Sequence, residues 1–284
     1  MLRQIRIGNN IASKLFDLDA VSGEDELIIT NISGLSPSDI EIQSGDFTGD
    51  GGYIQGTRLA KRNVVFTFSI NPQYATNRSV GKIRNDLYTS LFAQGGIFIY
   101  LWDDDYPGFD KDSMLPNIIL NGTVDSVNTE MMVKDLTAQV SVLVPYPYLK
   151  AYLPYSKYYD PTEMGVTEPY EANAPSGISV RLEVMSPVNI VRLGSNNPGD
   201  WDSELMTLVH PTSFATDDII DIMTQPGERA ILVNGEDKMA YLQPESPWIM
   251  AYKDPLKLFA YSSYAFDGKV NILALSYRLR YWGI

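Results

Sequence analysis

The clearest signal along this chain is alternation. Arg62-Asn63-Val64-Val65-Phe66-Thr67-Phe68-Ser69-Ile70 puts large or β-branched residues at every second position and stops at Asn71-Pro72. A period of two places one set of side chains on one face of a sheet, so this run predicts a strand with a buried face. Leu27-Ile28-Ile29-Thr30-Asn31-Ile32, ended by Ser33-Gly34, predicts a second strand, and 97–102 (IFIYLW) a third. Residues 117–124 (NIILNGTV) and the alternating Leu136, Ala138, Val140 and Val142 within 133–144 predict two more. Further on, 178–184 (ISVRLEV) alternates cleanly. Residues 218–224 and 229–235 flank Gln225-Pro226-Gly227-Glu228 and read as a hairpin, and Asn234-Gly235 supplies a second tight turn. Residues 256–261 and 270–281 close the series.

One segment has a different period. From Thr76 to Gln94, Val80, Ile83, Leu87 and Leu91 recur every three or four residues, and Tyr88 and Phe92 widen the stripe. This predicts a single amphipathic helix near 77–94 packed on a sheet, capped by Thr76 or Asn77 and ended at Gly95-Gly96. Between the two groups of strands, six prolines (Pro145, Pro147, Pro154, Pro161, Pro169, Pro175) are interleaved with seven tyrosines (Tyr146, Tyr148, Tyr152, Tyr155, Tyr158, Tyr159, Tyr170). Proline removes backbone donors, so regular sheet is not expected here. The tyrosines suggest that the segment lies on a surface, its own or a neighbour's. The expected organisation is an N-terminal β domain over 1–145, a linker or arm over 146–177, and a C-terminal β-sandwich over 178–284.

Composition narrows the chemistry. The chain of 284 residues has no cysteine, which removes disulfides, thiolate metal sites and cysteine nucleophiles. Its formal net charge is −13. Both halves are acidic, so neither is a basic module built to hold phosphates. No stretch has the length and apolarity of a membrane-spanning helix, and no membrane insertion is expected. The N-terminus lacks the apolar core of a secretory signal.

Four features were candidates for chemistry. His210, the single histidine, would have to serve any Ser-His-Asp arrangement; before Pro211 it reads as a loop residue. The glycine-rich Gly49–Gly56 has no Gly-Lys-Ser/Thr and is followed by a β-rich run, so it reads as a tight loop or hairpin rather than a phosphate cradle. Asp103, Asp104, Asp105, Asp110 and Asp112 crowd one loop and could hold a hard cation, though a solvated acidic loop is the default. Trp201, Trp248 and Tyr252 could form an aromatic platform for a sugar, but core or interface packing explains them better. No catalytic, cofactor-binding or metal residue is assigned, and nothing singles out a carboxylate pair for glycoside hydrolysis.

The order of several motifs carries more than any one of them. Residues 27–42 read LIITNISGLSPSDIEI. Then comes a glycine-rich loop leading into a strand that begins with a basic residue (49–70, GDGGYIQGTRLAKRNVVFTFSI), and then the helix 77–92 (NRSVGKIRNDLYTSLF). Residues 218–235 (DIIDIMTQPGERAILVNG), Pro247-Trp248 and the closing Tyr281-Trp282-Gly283-Ile284 follow. In this order the chain resembles the distal tail proteins of bacteriophages. The resemblance implies a mainly β fold: an N-terminal tail-tube-like β-barrel or sandwich with one helix, and a C-terminal galectin-like β-sandwich. It further implies a virion protein, made in the host cytoplasm, with no enzymatic activity and no cofactor. Its copies would form a homo-oligomeric, hexameric ring joining the tail tube protein to the tail hub or baseplate. DNA would only pass through the channel, and the C-terminal domain would dock receptor-binding proteins. A ring that lets DNA slide would be lined by at least as many acidic as basic residues, with Asp46–Asp50 and Asp103–Asp112 as candidates. A lining of Lys61, Arg62, Lys82 and Arg84 would contradict that expectation. A carbohydrate-binding sandwich for host-surface attachment is the reading from a different class.

Overall fold

The computed structural model describes residues 1–9, 13–18, 27–46, 52–71, 78–91, 96–109, 115–128, 137–195, 204–252, 254–262 and 268–284. Two compact units account for the chain, Met1–Tyr152 with Tyr281–Ile284, and Leu153–Arg280.

In the first unit the strands are β1 (Leu2–Gly8), β2 (Ser13–Asp17), β3 (Leu27–Ser33), β4 (Ile40–Asp46), β5 (Gly52–Leu59), β6 (Arg62–Ile70), β7 (Ile97–Asp103), β8 (Ile118–Asn128), β9 (Thr137–Val144) and β10 (Leu149–Ala151). All but β4 and β5 join one antiparallel sheet in the order β2-β1-β7-β8-β9-β6-β3, with β10 paired to β8. The alternation of β6 is realised in full: Val64, Phe66, Phe68 and Ile70 are buried; the first three face Val142, Val140 and Ala138 of β9, and Ile70 faces Leu27 of β3, all buried too. The helix α1 runs over Val80–Leu91, with Ile83, Leu87 and Leu91 buried. Ser79 Oγ accepts the Lys82 backbone N–H at 3.3 Å, so Ser79 acts at the N-cap. Thr76, Asn77, Phe92 and Gly95 lie outside the described residues.

One side chain ties distant parts of this unit together. Arg62, the first residue of β6, is 2% exposed. Its Nε and Nη2 donate to the Pro147 carbonyl at 2.8 and 2.6 Å. Nη1 donates to the carbonyls of Gly34 (2.9 Å) and Ser36 (2.6 Å), and Nη2 also reaches that of Trp282 at 2.5 Å. Burial pushes the guanidinium pKa down, although nearby Tyr106 opposes the shift. Aimed carbonyl dipoles take the place of the lost water. The arrangement needs a glycine at position 34, which has φ +84°; a Cβ there would meet the Asn63 carbonyl oxygen at 1.8 Å.

The second unit is a β-sandwich. Its strands are β11 (Tyr155–Tyr158), β12 (Gly165–Glu168), β13 (Ser176–Val184), β14 (Val188–Ser195), β15 (Leu205–Phe214), β16 (Ile219–Met223), β17 (Ala230–Val233), β18 (Glu236–Asp237), β19 (Met250–Ala251), β20 (Leu256–Tyr261) and β21 (Val270–Tyr277). One sheet has the order β11-β21-β13-β16-β17-β18 with β19 paired to β13, and the other β12-β20-β14-β15. Val180, Leu182, Ile220, Ile222 and Ile272 of the first share one core with Val191, Leu193, Leu208 and Leu258 of the second. The Asn-Gly turn forms as expected between β17 and β18, with φ +51° at Asn234 and +83° at Gly235.

Two expectations are corrected. Residues 145–177 were not expected to form regular sheet, yet they contain β10, β11 and β12. Pro154 and Pro161 fall between these strands and Pro169 and Pro175 between β12 and β13, where no ladder donor is lost. Tyr155, Tyr159 and Tyr170 pack on the sandwich core of their own chain. The second correction is His210-Pro211, which lies inside β15 rather than in a loop. β15 is an edge strand and its pairing with β14 shifts register between Val188 and Ile190, the two conditions under which a strand tolerates proline.

Candidate functional site

The residues considered for catalysis are placed in packing roles. His210 stacks edge-on to Phe214 and Tyr241; its Nδ1 accepts the Thr212 N–H at 3.0 Å, and its Nε2 lies 3.2 Å from the Tyr241 hydroxyl. Neither nitrogen is joined to an acid or to a serine in these contacts, so no Ser-His-Asp relay is assembled among the described residues.

Asp103, Asp104 and Asp105 do converge, each offering a carboxylate oxygen within 4.8 Å of the others. The Met1 ammonium sits on all three, 2.9 Å from Asp103 Oδ1, and Arg3 bonds Asp104 at 2.7 Å. Although desolvation works against it, these carboxylates raise the Met1 amino pKa to about 11. The two cations already balance much of the acidic charge. Asp110 and Asp112 lie outside the described residues, as do Gly49–Gly51 and Trp201. Trp248 is partly buried against the sandwich core, with the Arg229 guanidinium 5.0 Å from its ring centroid, and Tyr252 is 37% exposed. Packing thus accounts for Trp248.

A buried carboxylate in the sandwich has a different character. Glu168, 4% exposed, accepts from Lys157 Nζ at 2.7 Å and from the Tyr155 hydroxyl. Burial works to raise its pKa, but these hydrogen bonds outweigh it and hold the group below the ordinary carboxylate value. Tyr155 stacks on Tyr277, whose hydroxyl donates to the Pro169 carbonyl. This network fastens β11 and β12 to the sandwich and has the character of a structural lock.

The feature that packing within the unit does not explain is the pair β4–β5. Among the described residues these strands pair in a ladder with each other alone, as a two-stranded sheet of their own. In the register Ile40 faces Leu59, Ile42 faces Thr57, and Ser44 faces Ile54 after a bulge. Alternation therefore sets Ile40, Ile42 and Ile54 on one face of the ribbon. All three are open to solvent, at 64, 60 and 66%. The Glu41–Arg58 ion pair, 2.6 Å long, marks the other face. Two-stranded ribbons are marginal alone, and a row of exposed isoleucines marks a surface meant to be covered. The sequence carried a trace of it: Ile40-Glu41-Ile42-Gln43 alternates. Nothing in that alternation shows that the apolar face has no partner among the described residues of the fold.

Fold and surfaces define a class: a two-unit antiparallel β protein with an exposed apolar ribbon face. No protein-family model matches the chain, and no curated protein matches it by sequence. Its fold is that of a phage distal tail protein. The chain superposes on SPP1 Dit, described as a paradigm of the hub adsorption apparatus in phages that infect Gram-positive bacteria, with a TM-score of 0.62. The match covers 97% of this chain and 98% of that one at 12% identity, so the resemblance drawn from sequence is met in the fold. A chain of the phage P2 baseplate, in its activated conformation with calcium, gives a TM-score of 0.42 at 10% identity, covering 99% and 98% of the two chains. Trypanosoma rangeli sialidase gives 0.24 at 8% identity, covering 85% of this chain and 51% of the enzyme. Neither of these two scores is high enough for a shared fold to follow.

Proposed function

We propose that this protein is a structural component of a phage tail tip or baseplate, whose copies close into a ring, hexameric by analogy with the family it resembles. The ring would join the tail tube to the tail hub and let DNA pass. In this reading the N-terminal β domain builds the ring, the C-terminal galectin-like sandwich docks receptor-binding proteins or other baseplate parts, and no reaction is catalysed. The observation that carries the reading is the β4–β5 ribbon. A closed ring needs a heterologous interface, in which one surface of each copy meets a different surface of the next. A ribbon with an uncovered apolar face is suited to reach onto a neighbour. The fold likeness to SPP1 Dit supports the same reading independently.

The test is the size of the purified protein by mass photometry, with electron microscopy of tail particles. The expected result is a closed cyclic oligomer that Ile42→Asp/Ile54→Asp converts to a folded monomer. A wild-type protein that remains monomeric, together with tails that lack a ring of this chain, would overturn the proposal.

A further inference from the structure

The outward face of the larger sandwich sheet carries a groove of about 330 Å³ that neither the core nor the assembly surface uses. Its floor follows from the strand register. Along one row Tyr158 of β11 pairs with Ala274, which also pairs with Arg181, which pairs with Asp221. Along the adjacent row Ser156 pairs with Ser276, and Ser276 with Ser179. Inward neighbours Val180, Leu182, Ile220 and Ile222 are core, so the alternating residues of the two rows point out of the sheet. Small serine and alanine side chains in the middle leave the depression. At its edge stands Tyr158, 80% exposed. Beside it Arg181 Nε and Nη2 bond the two Asp221 oxygens at 2.7 and 3.1 Å, a planar bidentate pair held upright on the sheet.

The chemistry of this surface restricts its occupant. Backbone groups in the sheet interior are spent on the ladders, so recognition here is by side chains. The Arg181 charge is matched by Asp221, which leaves no net positive field for a phosphate or a carboxylate. Serine hydroxyls and the paired charges share the lining with the apolar Met223 and Leu232, so the groove offers polar and apolar surface side by side. An exposed aromatic edge, a floor that mixes serine hydroxyls with apolar side chains and a fixed donor–acceptor pair suit a ligand with an apolar ring face and a rim of hydroxyl groups that donate and accept alike. The volume lies at the lower end of the roughly 300–1,000 Å³ typical of small-molecule sites. We infer that this groove is a binding site for a neutral glycan, with Tyr158 packing on a pyranose ring and the Arg181–Asp221 pair and serines fixing its hydroxyls. The inference is independent of ring formation and concerns residues other than the tryptophans that the sequence suggested.

The full-length protein, fluorescently labelled, is applied to an array of neutral hexose and N-acetylhexosamine oligosaccharides with sialylated glycans alongside. Binding to at least one neutral glycan is expected. For that glycan, Tyr158→Ala and the double variant Arg181→Ala/Asp221→Ala should each weaken binding by about tenfold or more, as losing a main anchor does. Tyr146→Ala, in the other unit, should leave it unchanged. Unaltered thermal unfolding of Tyr158→Ala, whose side chain is 80% exposed, separates loss of binding from loss of fold. An array that retains nothing, binding confined to sialylated glycans, or neutral-glycan binding that survives both variants would overturn the inference.

Discussion

Arg62 shows how much one residue can decide. Its guanidinium serves the Gly34 turn, the Ser36 carbonyl, the segment after β9 and the chain's closing Trp282. Arg62→Ala would strand several carbonyls in a buried site, and a loss of about 3–5 kcal/mol is expected by denaturant unfolding. Arg62→Lys should recover only part, because an ammonium cannot reproduce the planar fork. The same burial removes Arg62 from any channel lining. Glu168 gives a pH dependence with a definite sign. Its folded pKa lies below the ordinary value, so in acid the unfolded chain binds the proton more readily than the folded one. Its contribution is therefore complete above the unfolded carboxylate pKa of about 4.3 and lost as pH falls through the lower folded value. Unfolding followed from pH 7 to pH 3, a range set by those roughly known pKa values, should show a shallower acid loss in Glu168→Gln than in wild type.

At the level of elements, alternation decides strands and its failures are local. The turn between β17 and β18 isolates a backbone effect: a Cβ at Gly235 would meet nothing within 4 Å, yet φ is +83°. Gly235→Ala should thus cost about 1–2 kcal/mol through conformation alone, measurable as a lowered melting temperature. The proline- and tyrosine-rich stretch is the opposite case. Its strands β11 and β12 pair with β21 and β20, and Glu168 locks them. Limited proteolysis should accordingly leave 155–177 protected, with early cleavage near the exposed Leu153 if the stretch opens at all. Rapid cutting throughout 155–177 would return the segment to the status of a linker.

For the whole molecule, charge and assembly meet at the proposed channel. A chain of net charge −13 should bind duplex DNA weakly even at low salt, since few cations are available to displace counterions. Submicromolar affinity, a rough threshold well tighter than ordinary non-specific binding, would contradict a ring through which DNA slides. In a ring structure the inner wall should carry at least as many Asp and Glu as Lys and Arg.

The sequence alone determined what depends on neighbours along the chain. β6 and β13 were legible because a two-residue period must bury one face of a strand, α1 because its apolar stripe recurs with the helical turn, and the Asn234-Gly235 turn because those residues accept positive φ. The order of these motifs was enough to point to a fold that the superposition on SPP1 Dit supports. What depends on partners far along the chain was decided only in three dimensions. β11 and β12 are strands because β21 and β20 offer them edges, and β15 keeps its proline because it lies at an edge itself. The carbonyls around Arg62 come from three separate segments, and the groove joins residues of four strands spread over more than one hundred positions, from Ser156 to Ser276. Ile40, Ile42 and Ile54 look in sequence like any core residues; only the folded chain shows that no strand among the described residues covers them. Alternation tells which face of a strand is apolar, and only tertiary packing decides whether that face is buried within the chain or left for a partner.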